Sequence, residues 1–244
     1  MIIAELGLNH LGNPDLAESY ISVLSTCNVD GISFQVREKE YYEKDDKKHL
    51  NLSNKNYIDF SKSIKESNKK FGVAIADIEK IDFFESINTD FYKIIRNDLT
   101  NTTLVKKILS TGKKVIVSTG LSSEKDIDLF LFQFGEFKNF VLNHTQLSYE
   151  EKDCNLKAIS SLREKYNVPI SFGSHCSNIN VLYMSLCFDP SDILFYVKLD
   201  NKIKYPDDKH AVILDDCLSF TNNIKKLQSA LGSGKKTKLT NKIN

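Results

Sequence analysis

The run Ile2-Ile3-Ala4-Glu5 is a short apolar segment that ends in a charged residue, and its recurrence along the chain decides the fold. Seven further apolar runs of strand length cover residues 31–34, 72–75, 91–94, 114–117, 140–142, 169–172 and 193–197. Polar residues end each run, and a segment with the apolar spacing of a helix follows it. Eight such units in 244 residues match a closed (β/α)8 barrel, which needs roughly 200 to 250 residues. The sequence therefore predicts an α/β fold, a (β/α)8 TIM barrel.

The spacing of these units indicates the number of domains. They follow one another evenly from residue 2 to about residue 231, which leaves no room for a linker between domains. We therefore expect a single barrel domain at 1–231 and a basic, flexible tail at 232–244, which is rich in Gly, Ser and Lys. Asn13 before Pro14, Asn101 and Ser122 stand where helix N-caps belong, so helices should begin at these places.

The charge and cysteine content exclude several classes of protein. The chain carries 33 basic and 32 acidic residues without a long block of one sign, which argues against a nucleic-acid or membrane partner. No apolar run approaches the roughly 20 residues that span a bilayer, and the amino terminus enters a strand without a secretory signal. Five cysteines without a CxxC pair indicate reduced thiols. We expect a cytoplasmic protein that binds no nucleic acid and no membrane.

The polar ends of the strands form the candidate site, because (β/α)8 barrels place their chemistry at the carboxyl ends of the strands. Glu5 and Lys93 lie within otherwise apolar strand sequences, where an unpaired charge would be costly to bury. Two interpretations of Lys93 stay open. It forms an anion cradle with Arg96 and Ser118, or it forms an ion pair with an acid of a neighbouring strand such as Glu5.

Three histidines, His10, His144 and His175, follow strands 1, 6 and 7 of the predicted barrel. Histidine at such places can bind a metal ion or move protons near neutral pH. The separations of the three match no local metal-ligand spacing such as HxxxH, so the metal signal is weak.

A highly charged insertion lies between Arg37 and Leu52, after the second strand. One interpretation is a solvated loop. The other is a lid that carries Arg37, Tyr41 and Tyr42 over the barrel mouth, since long loops after barrel strands often line the site.

Short motifs are spread in a fixed order along the whole predicted barrel. They read IIAELGLNHLG at 2–12, ISFQ at 32–35, YKI at 92–94, STGL at 118–121, VPISF at 168–172 and YPD at 205–207. In this order they resemble the motifs of the sialic acid synthase family, whose enzymes condense phosphoenolpyruvate with an amino-hexose to make nonulosonic acids. The ordered series is more specific than any single motif. The resemblance implies the same barrel and a carbon–carbon bond-forming reaction.

The resemblance also implies catalytic residues. Glu5, Lys93 and His175 would be catalytic, with Glu5 as an active-site carboxylate. Lys93 and Ser118 would hold phosphoenolpyruvate. His175 would be one of two histidines that bind a divalent metal ion, Mn²⁺ or Mg²⁺.

Further residues are implied to bind the substrates. Asn9, His10 and Asp207 would face the sugar side of the pocket. Gln146 stands at the place of a family asparagine and would bind substrate as well, and Arg96 would contact the donor.

Several departures from the family pattern change these expectations. The lysine and threonine that the family has near the donor are Ser33 and Ala74 here, and Arg96 would compensate with a guanidinium. Tyr196 stands where the second metal-binding histidine is expected. Because one histidine with waters rarely holds a divalent ion, we expect weak or absent manganese binding. His175 would then act as a hydrogen-bond donor or acid to the acceptor carbonyl.

The residues and the resemblance together predict a phosphoenolpyruvate-dependent condensing enzyme of nonulosonic acid or surface-polysaccharide sugar biosynthesis. The expected partners are phosphoenolpyruvate, an amino-sugar and, in a homodimer, a second copy of the chain. Two alternatives stay open. One is a barrel that binds a sugar or a protein partner without turnover, and the other is an aldolase that forms a Schiff base through Lys93 or Lys198.

Overall fold

The computed structural model describes residues 1–236 and residue 238, apart from the side chains of Arg96 and Asn97. Its barrel strands are β1 Ile2–Gly7, β2 Gly31–Val36, β3 Lys70–Ile75, β4 Phe91–Ile94, β5 Lys114–Ser118, β6 Phe140–His144, β7 Ile170–Gly173 and β8 Ile193–Lys198. All are parallel and hydrogen-bonded in chain order, and β1 pairs with β8 to close the sheet. The predicted single-domain (β/α)8 barrel is confirmed. Most of the predicted tail at 232–244 lies outside the described residues.

Helices follow the strands and pack around the barrel. They are α1 Pro14–Thr26, α2 Lys39–Tyr42, α3 Asn54–Glu66, α4 Ile81–Ser86, α5 Thr102–Leu109, α6 Glu124–Phe134, α7 Ala158–Tyr166, α8 Asn180–Ser185 and α9 Cys217–Leu231. A two-residue strand, β9 Val212–Ile213, pairs with the end of β8. None of the helices in the described part of the chain has both the length and the apolar character needed to span a bilayer.

The helix caps agree with the sequence at two of the three predicted places. The Asn13 side chain accepts hydrogen bonds from two backbone N–H groups of the first turn of α1, at 2.9 and 3.2 Å, and Asn101 caps α5 in the same way. Ser123, not Ser122, caps α6. The Asp126 carboxylate reaches back to the Ser123 N–H at 2.6 Å, which fixes the helix start one residue later than predicted.

The barrel interior is apolar at the amino-terminal ends of the strands. A cluster of Ile3, Phe91, Ile116, Val141 and Leu194 fills it, and each of these side chains is at most 7% exposed. Full burial of such a side chain stabilises the fold by about 1.5–3 kcal/mol relative to exposure. This layer closes the barrel from below.

Polar side chains form the next layer. Glu5, Lys93, Ser118, Asn143 and Tyr196 each stand two residues after a member of the apolar cluster. Because side chains alternate between the two faces of a strand, these five point into the same interior one layer higher. The change from apolar to polar places a charged floor at the carboxyl ends of the strands.

The insertion after β2 is fastened to the loop after β1. Tyr42 and Leu50, from the two ends of the insertion, pack with Leu8 in a separate apolar cluster. Gly12 has φ +71°, and a Cβ there would collide with the backbone carbonyl of His49. The close approach of the two backbones therefore requires glycine. The two ends of the insertion are packed against the loop after β1, while residues 43–46, 48 and 49 between them are exposed.

Candidate active site

A cavity of about 360 Å³ opens above the polar layer. Its lining includes four residues of the barrel strands, Gln35, Lys93, Ser118 and Tyr196. The loops contribute Arg37, Tyr41, Leu147, Tyr149, His175, Asp207 and His210, among others. The cavity is therefore polar and rich in titratable groups, as a site for a small polar ligand would be.

Glu5 and Lys93 form a buried ion pair in the floor of this cavity. The Lys93 Nζ lies 2.6 and 2.8 Å from the two Glu5 carboxylate oxygens, and both side chains are at most 5% exposed. Ser33 adds a long hydrogen bond of 3.5 Å from its hydroxyl to Glu5. Both interpretations of Lys93 thus meet in one arrangement, since Lys93 lines the cavity with Ser118 and is also paired with Glu5. A ligand anion would meet a cation whose charge is already partly balanced.

The predicted anion cradle has two further members. Ser118 lines the cavity, and its hydroxyl oxygen accepts a hydrogen bond of 3.3 Å from the Gly120 N–H. The side chain of Arg96 lies outside the described residues. Its place in the cradle therefore stays a prediction.

Arg37 is a cation of the cavity that the sequence offered only as part of a lid. Its guanidinium lies 4.4 Å from the centroid of the Tyr41 ring and forms two hydrogen bonds to Glu38, at 2.8 and 2.9 Å. Tyr42 does not line the cavity and instead anchors the segment, since its hydroxyl accepts from the Arg37 N–H at 3.1 Å. The lid interpretation therefore holds for Arg37 and Tyr41.

Three residues expected to bind substrate do not line the cavity. The Asn9 side chain is fully buried, donating to the Val197 carbonyl at 2.7 Å and accepting from the Asp207 N–H at 3.0 Å. His10 is also buried, with Nδ1 accepting from a backbone N–H, and Gln146 is exposed. The expectation that these side chains face the substrate is corrected: Asn9 instead fixes the segment that carries Asp207.

Asp207 lines the cavity, as predicted, in an unusual electrostatic setting. Burial and then the nearby Glu5 carboxylate raise the pKa of Asp207 to about 7, against a smaller lowering by Lys93. Gly7, at the end of β1, has φ +55°, and a Cβ there would lie 2.5 Å from the Asp207 Oδ2. The end of β1 therefore makes room for a carboxyl group that holds its proton near neutral pH.

One wall of the cavity is aromatic. The His175 ring centroid lies 5.3 Å from that of Tyr196 and 4.7 Å from that of His210. Tyr149 continues the wall, 6.0 Å from His210 and nearly parallel to it. The sequence analysis missed His210, which lies in the long loop between β8 and β9 and not directly at a strand end. The sequence feature that could have indicated His210 is its position three residues after Asp207. The pairing of β8 with β9 holds this segment against the barrel.

The residues present do not fit a divalent metal site. Among the residues that the structure describes, no three His, Cys, Asp or Glu side chains form a group that could hold a metal ion. Of the histidines that the sequence offered, His144 contacts the Cys154 carbonyl oxygen at 2.9 Å. Tyr196 presents a phenol where the resemblance expects an imidazole. We derive no step of the reaction through a metal ion.

The fold and the cavity define a class, a (β/α)8 barrel with a charged pocket for a small polar ligand at the strand ends. Comparison with known proteins assigns the family within that class. The chain matches the NeuB family over residues 21–236, most of its length. The chain belongs to the NeuB family.

Relatives of this chain include both sequences and solved structures. It is 30% identical over 251 residues to an uncharacterized protein of Methanocaldococcus jannaschii, covering 96% of this chain and 73% of that protein. It is 25% identical over 260 residues to N,N'-diacetyllegionaminic acid synthase of Campylobacter jejuni, covering 96% and 78%. The structure of an N-acetylneuraminic acid (sialic acid) synthetase from Leptospira borgpetersenii, in complex with citrate, is similar with a TM-score of 0.89 at 25% identity. That match covers 98% of this chain and 87% of the synthetase chain. The relatives with a stated activity are synthases.

Proposed function

We propose that this protein is a nonulosonic acid synthase that condenses phosphoenolpyruvate with the aldehyde of an amino-sugar. One observation supports this most directly. The Glu5–Lys93 pair and the Ser118 hydroxyl form the floor of a cavity that Arg37 borders and that also contains a carboxyl group with a pKa of about 7. Family membership supplies the reaction class, and the cavity supplies groups suited to it.

The reaction needs an anion site, a proton donor and a place for water. The C3 carbon of the enolpyruvyl group forms a bond to the aldehyde carbon, whose oxygen takes a proton. Water adds at C2, and inorganic phosphate leaves. The balance is one phosphoenolpyruvate, one aldehyde and one water consumed for one 2-oxo acid and one phosphate formed.

The donor anion is assigned to the cationic side of the cavity. Lys93 and Ser118 contact it from the floor, while Arg37 turns from Glu38 towards it, because a guanidinium binds phosphate or carboxylate bidentately. Glu5 orients the Lys93 side chain through hydrogen bonds of 2.6 and 2.8 Å. Enclosure under the Arg37–Tyr41 segment strengthens these contacts by excluding water.

The aldehyde oxygen takes its proton from Asp207. A carboxyl group with a pKa near neutrality is both protonated often enough and acidic enough to serve as a general acid. His175, whose ring centroid lies 4.7 Å from that of His210, stays a predicted hydrogen-bond donor to the same oxygen.

The Schiff-base alternative has less support. The Lys93 Nζ donates hydrogen bonds to both Glu5 carboxylate oxygens, so it is held in an ion pair and not directed at the carbonyl carbon that a Schiff base requires it to attack. Lys198 is also held, with Nζ donating to the Asp208 carbonyl and carboxylate at 2.8 and 2.9 Å.

The test is incubation of the whole protein with phosphoenolpyruvate and a panel of amino-hexoses, with and without manganese. We expect phosphate release that requires the sugar, with a 2-oxo acid of the summed carbon skeleton detected by mass spectrometry. Sugar binding without phosphate release would instead indicate a barrel that binds without turnover. Borohydride trapping of a 2-oxo acid on Lys93 would indicate the aldolase.

A further inference from the structure

His210 is a buried side chain whose two ring nitrogens lack hydrogen-bond partners. Its side chain is 4% exposed, and neither Nδ1 nor Nε2 makes a hydrogen bond with the described part of the chain. The nearest carboxylate oxygen, Asp207 Oδ1, is 3.7 Å from Nε2, too far for a hydrogen bond. Buried polar groups in folded proteins are normally satisfied. A cavity-lining imidazole with both nitrogens open is therefore expected to find its partner in a ligand.

The charge state of His210 restricts the chemistry of that partner. Burial, with the nearby Lys93 and Lys198 cations, lowers the pKa of His210 to about 4. A neutral imidazole carries one N–H donor and one acceptor nitrogen. That pairing suits a hydroxyl or an amide, which can both donate and accept. It does not suit a phosphate or carboxylate, which would gain nothing from the acceptor nitrogen.

The surroundings of His210 indicate the same class of ligand. Its ring packs against Tyr196 at 4.7 Å, edge to face, and lies nearly parallel to Tyr149 at 6.0 Å. Aromatic rings in contact with one another provide an apolar wall against which the C–H groups of a sugar ring can pack. Of the proposed anion-binding groups, Lys93 is near this wall, with its Nζ 5.6 Å from the centroid of the Tyr196 ring.

We propose that His210 determines acceptor specificity by hydrogen-bonding a hydroxyl or N-acetyl group of the amino-sugar, with Tyr149 packing beside it. The proposal rests on the proposed function and assigns the acceptor half of its site. His210 is a binding residue here, while the proton to the aldehyde oxygen comes from Asp207. The proposal gives His210 no contact with the phosphoenolpyruvate donor.

The experiment measures binding, so it does not depend on turnover. Calorimetry compares N-acetylmannosamine, mannose and phosphoenolpyruvate as probes for the whole protein and for His210→Phe, which keeps an aromatic ring but removes both nitrogens. We expect His210→Phe to weaken N-acetylmannosamine binding about tenfold or more and phosphoenolpyruvate binding less than about twofold. His210→Gln, with an amide donor and acceptor, should recover part of the loss. His49→Phe, an exposed histidine outside the cavity, is the matched control.

A measurement on the unmodified protein tests the proposal even if the variants do not fold. The imidazole ¹⁵N resonances of His210 should shift when N-acetylmannosamine is added and stay unchanged with phosphoenolpyruvate alone. Unchanged resonances, or equal sugar affinity in His210→Phe, overturn the proposal even if phosphate release is observed. Sugar binding that depends on His210 without phosphate release supports it while the proposed function fails.

Discussion

At the scale of single residues, Lys93 is distinctive because it serves a buried ion pair and an open cavity at once. Replacing both members of such an ion pair by uncharged residues is often tolerated. Removing only one member leaves an uncompensated buried charge and costs about 3–5 kcal/mol. The floor of the site is therefore a place where stability and ligand binding depend on the same atom.

Lys93→Ala should weaken phosphoenolpyruvate binding more than Ser118→Ala does. A charge-assisted contact is roughly twice as strong as a neutral one, so we expect about 10- to 100-fold for Lys93 and about threefold for Ser118. Calorimetry on both variants gives the comparison. Lys114→Ala is the control, because it breaks a Lys114–Asp192 pair of 2.6 Å that does not line the cavity. Equal losses at residues 93 and 118 would contradict the assigned donor site.

Asp207→Asn should change how stability depends on pH. Because the pKa of Asp207 is raised to about 7, the folded state keeps a proton that the unfolded chain releases near its ordinary pKa. The free energy of unfolding therefore falls as pH rises from about 4 through about 7. The asparagine variant does not undergo this pH-dependent loss of stability, so it should be more stable than the unchanged protein near pH 8, by about 4 kcal/mol.

Urea unfolding near pH 5 and near pH 8 checks this difference. Asp59→Asn, an exposed aspartate on α3, is the control and should leave the pH dependence as it is. The acid role adds a second readout, since the rate of phosphate release should decline above about pH 7. An unchanged slope of stability against pH in Asp207→Asn would contradict the raised pKa.

At the scale of elements, the end of β1 shapes the site through Gly7. Gly7→Ala places a methyl group against Asp207 in a backbone conformation of φ +55°, so it should impair phosphate release as well as stability. Gly112→Ala is a matched control, because Gly112 has φ +72° with open space around it. Backbone strain should lower the free energy of unfolding of both variants by about 1–2 kcal/mol, as measured by urea unfolding. Loss of activity should be confined to Gly7→Ala, and equal activity of the two would contradict the clash.

The elements also mark the limit of what the sequence could predict. Asn13 and Asn101 cap helices as local chemistry requires, because a cap depends on residues within one turn. The prediction that Ser122 caps a helix was wrong, because the Asp126 carboxylate accepts a hydrogen bond from the Ser123 N–H. This contact fixes the helix start at Ser123. His210 escaped notice because its position depends on the pairing of Val197 with Val212, a contact that local pattern does not reveal.

At the scale of the whole molecule, the repeated strand–helix units predict the barrel. The alternation of side chains between the two faces of each strand places Glu5 and Lys93 inside it. Ile3 to Glu5 and Phe91 to Lys93 are each a step of two residues, so the apolar cluster and the charges above it could be anticipated from the sequence. The side-chain directions of Asn9 and Gln146 could not, because loops that cross the barrel mouth are placed by contacts distant in sequence.

Manganese should bind weakly, if at all, and without defined stoichiometry. The described residues lack a group of three suitable ligands, and catalytic metal sites usually supply several protein ligands. Calorimetric titration of the metal-stripped protein with manganese tests this, with His175→Ala and His49→Ala as the paired variants. Tight one-to-one binding that His175→Ala abolishes and His49→Ala leaves intact would restore a metal mechanism.

The fastening of the β2 insertion has a consequence for ligand traffic. Tyr42 and Leu50 anchor both ends of the insertion and Gly12 lies against its backbone, so the insertion is held against the loop after β1. Passage past it then depends on the Arg37 side chain parting from Glu38, a rotamer change rather than a loop movement. Such changes occur in picoseconds to nanoseconds, far faster than the microseconds of lid motions. Entry and exit through this barrel should therefore seldom limit its turnover.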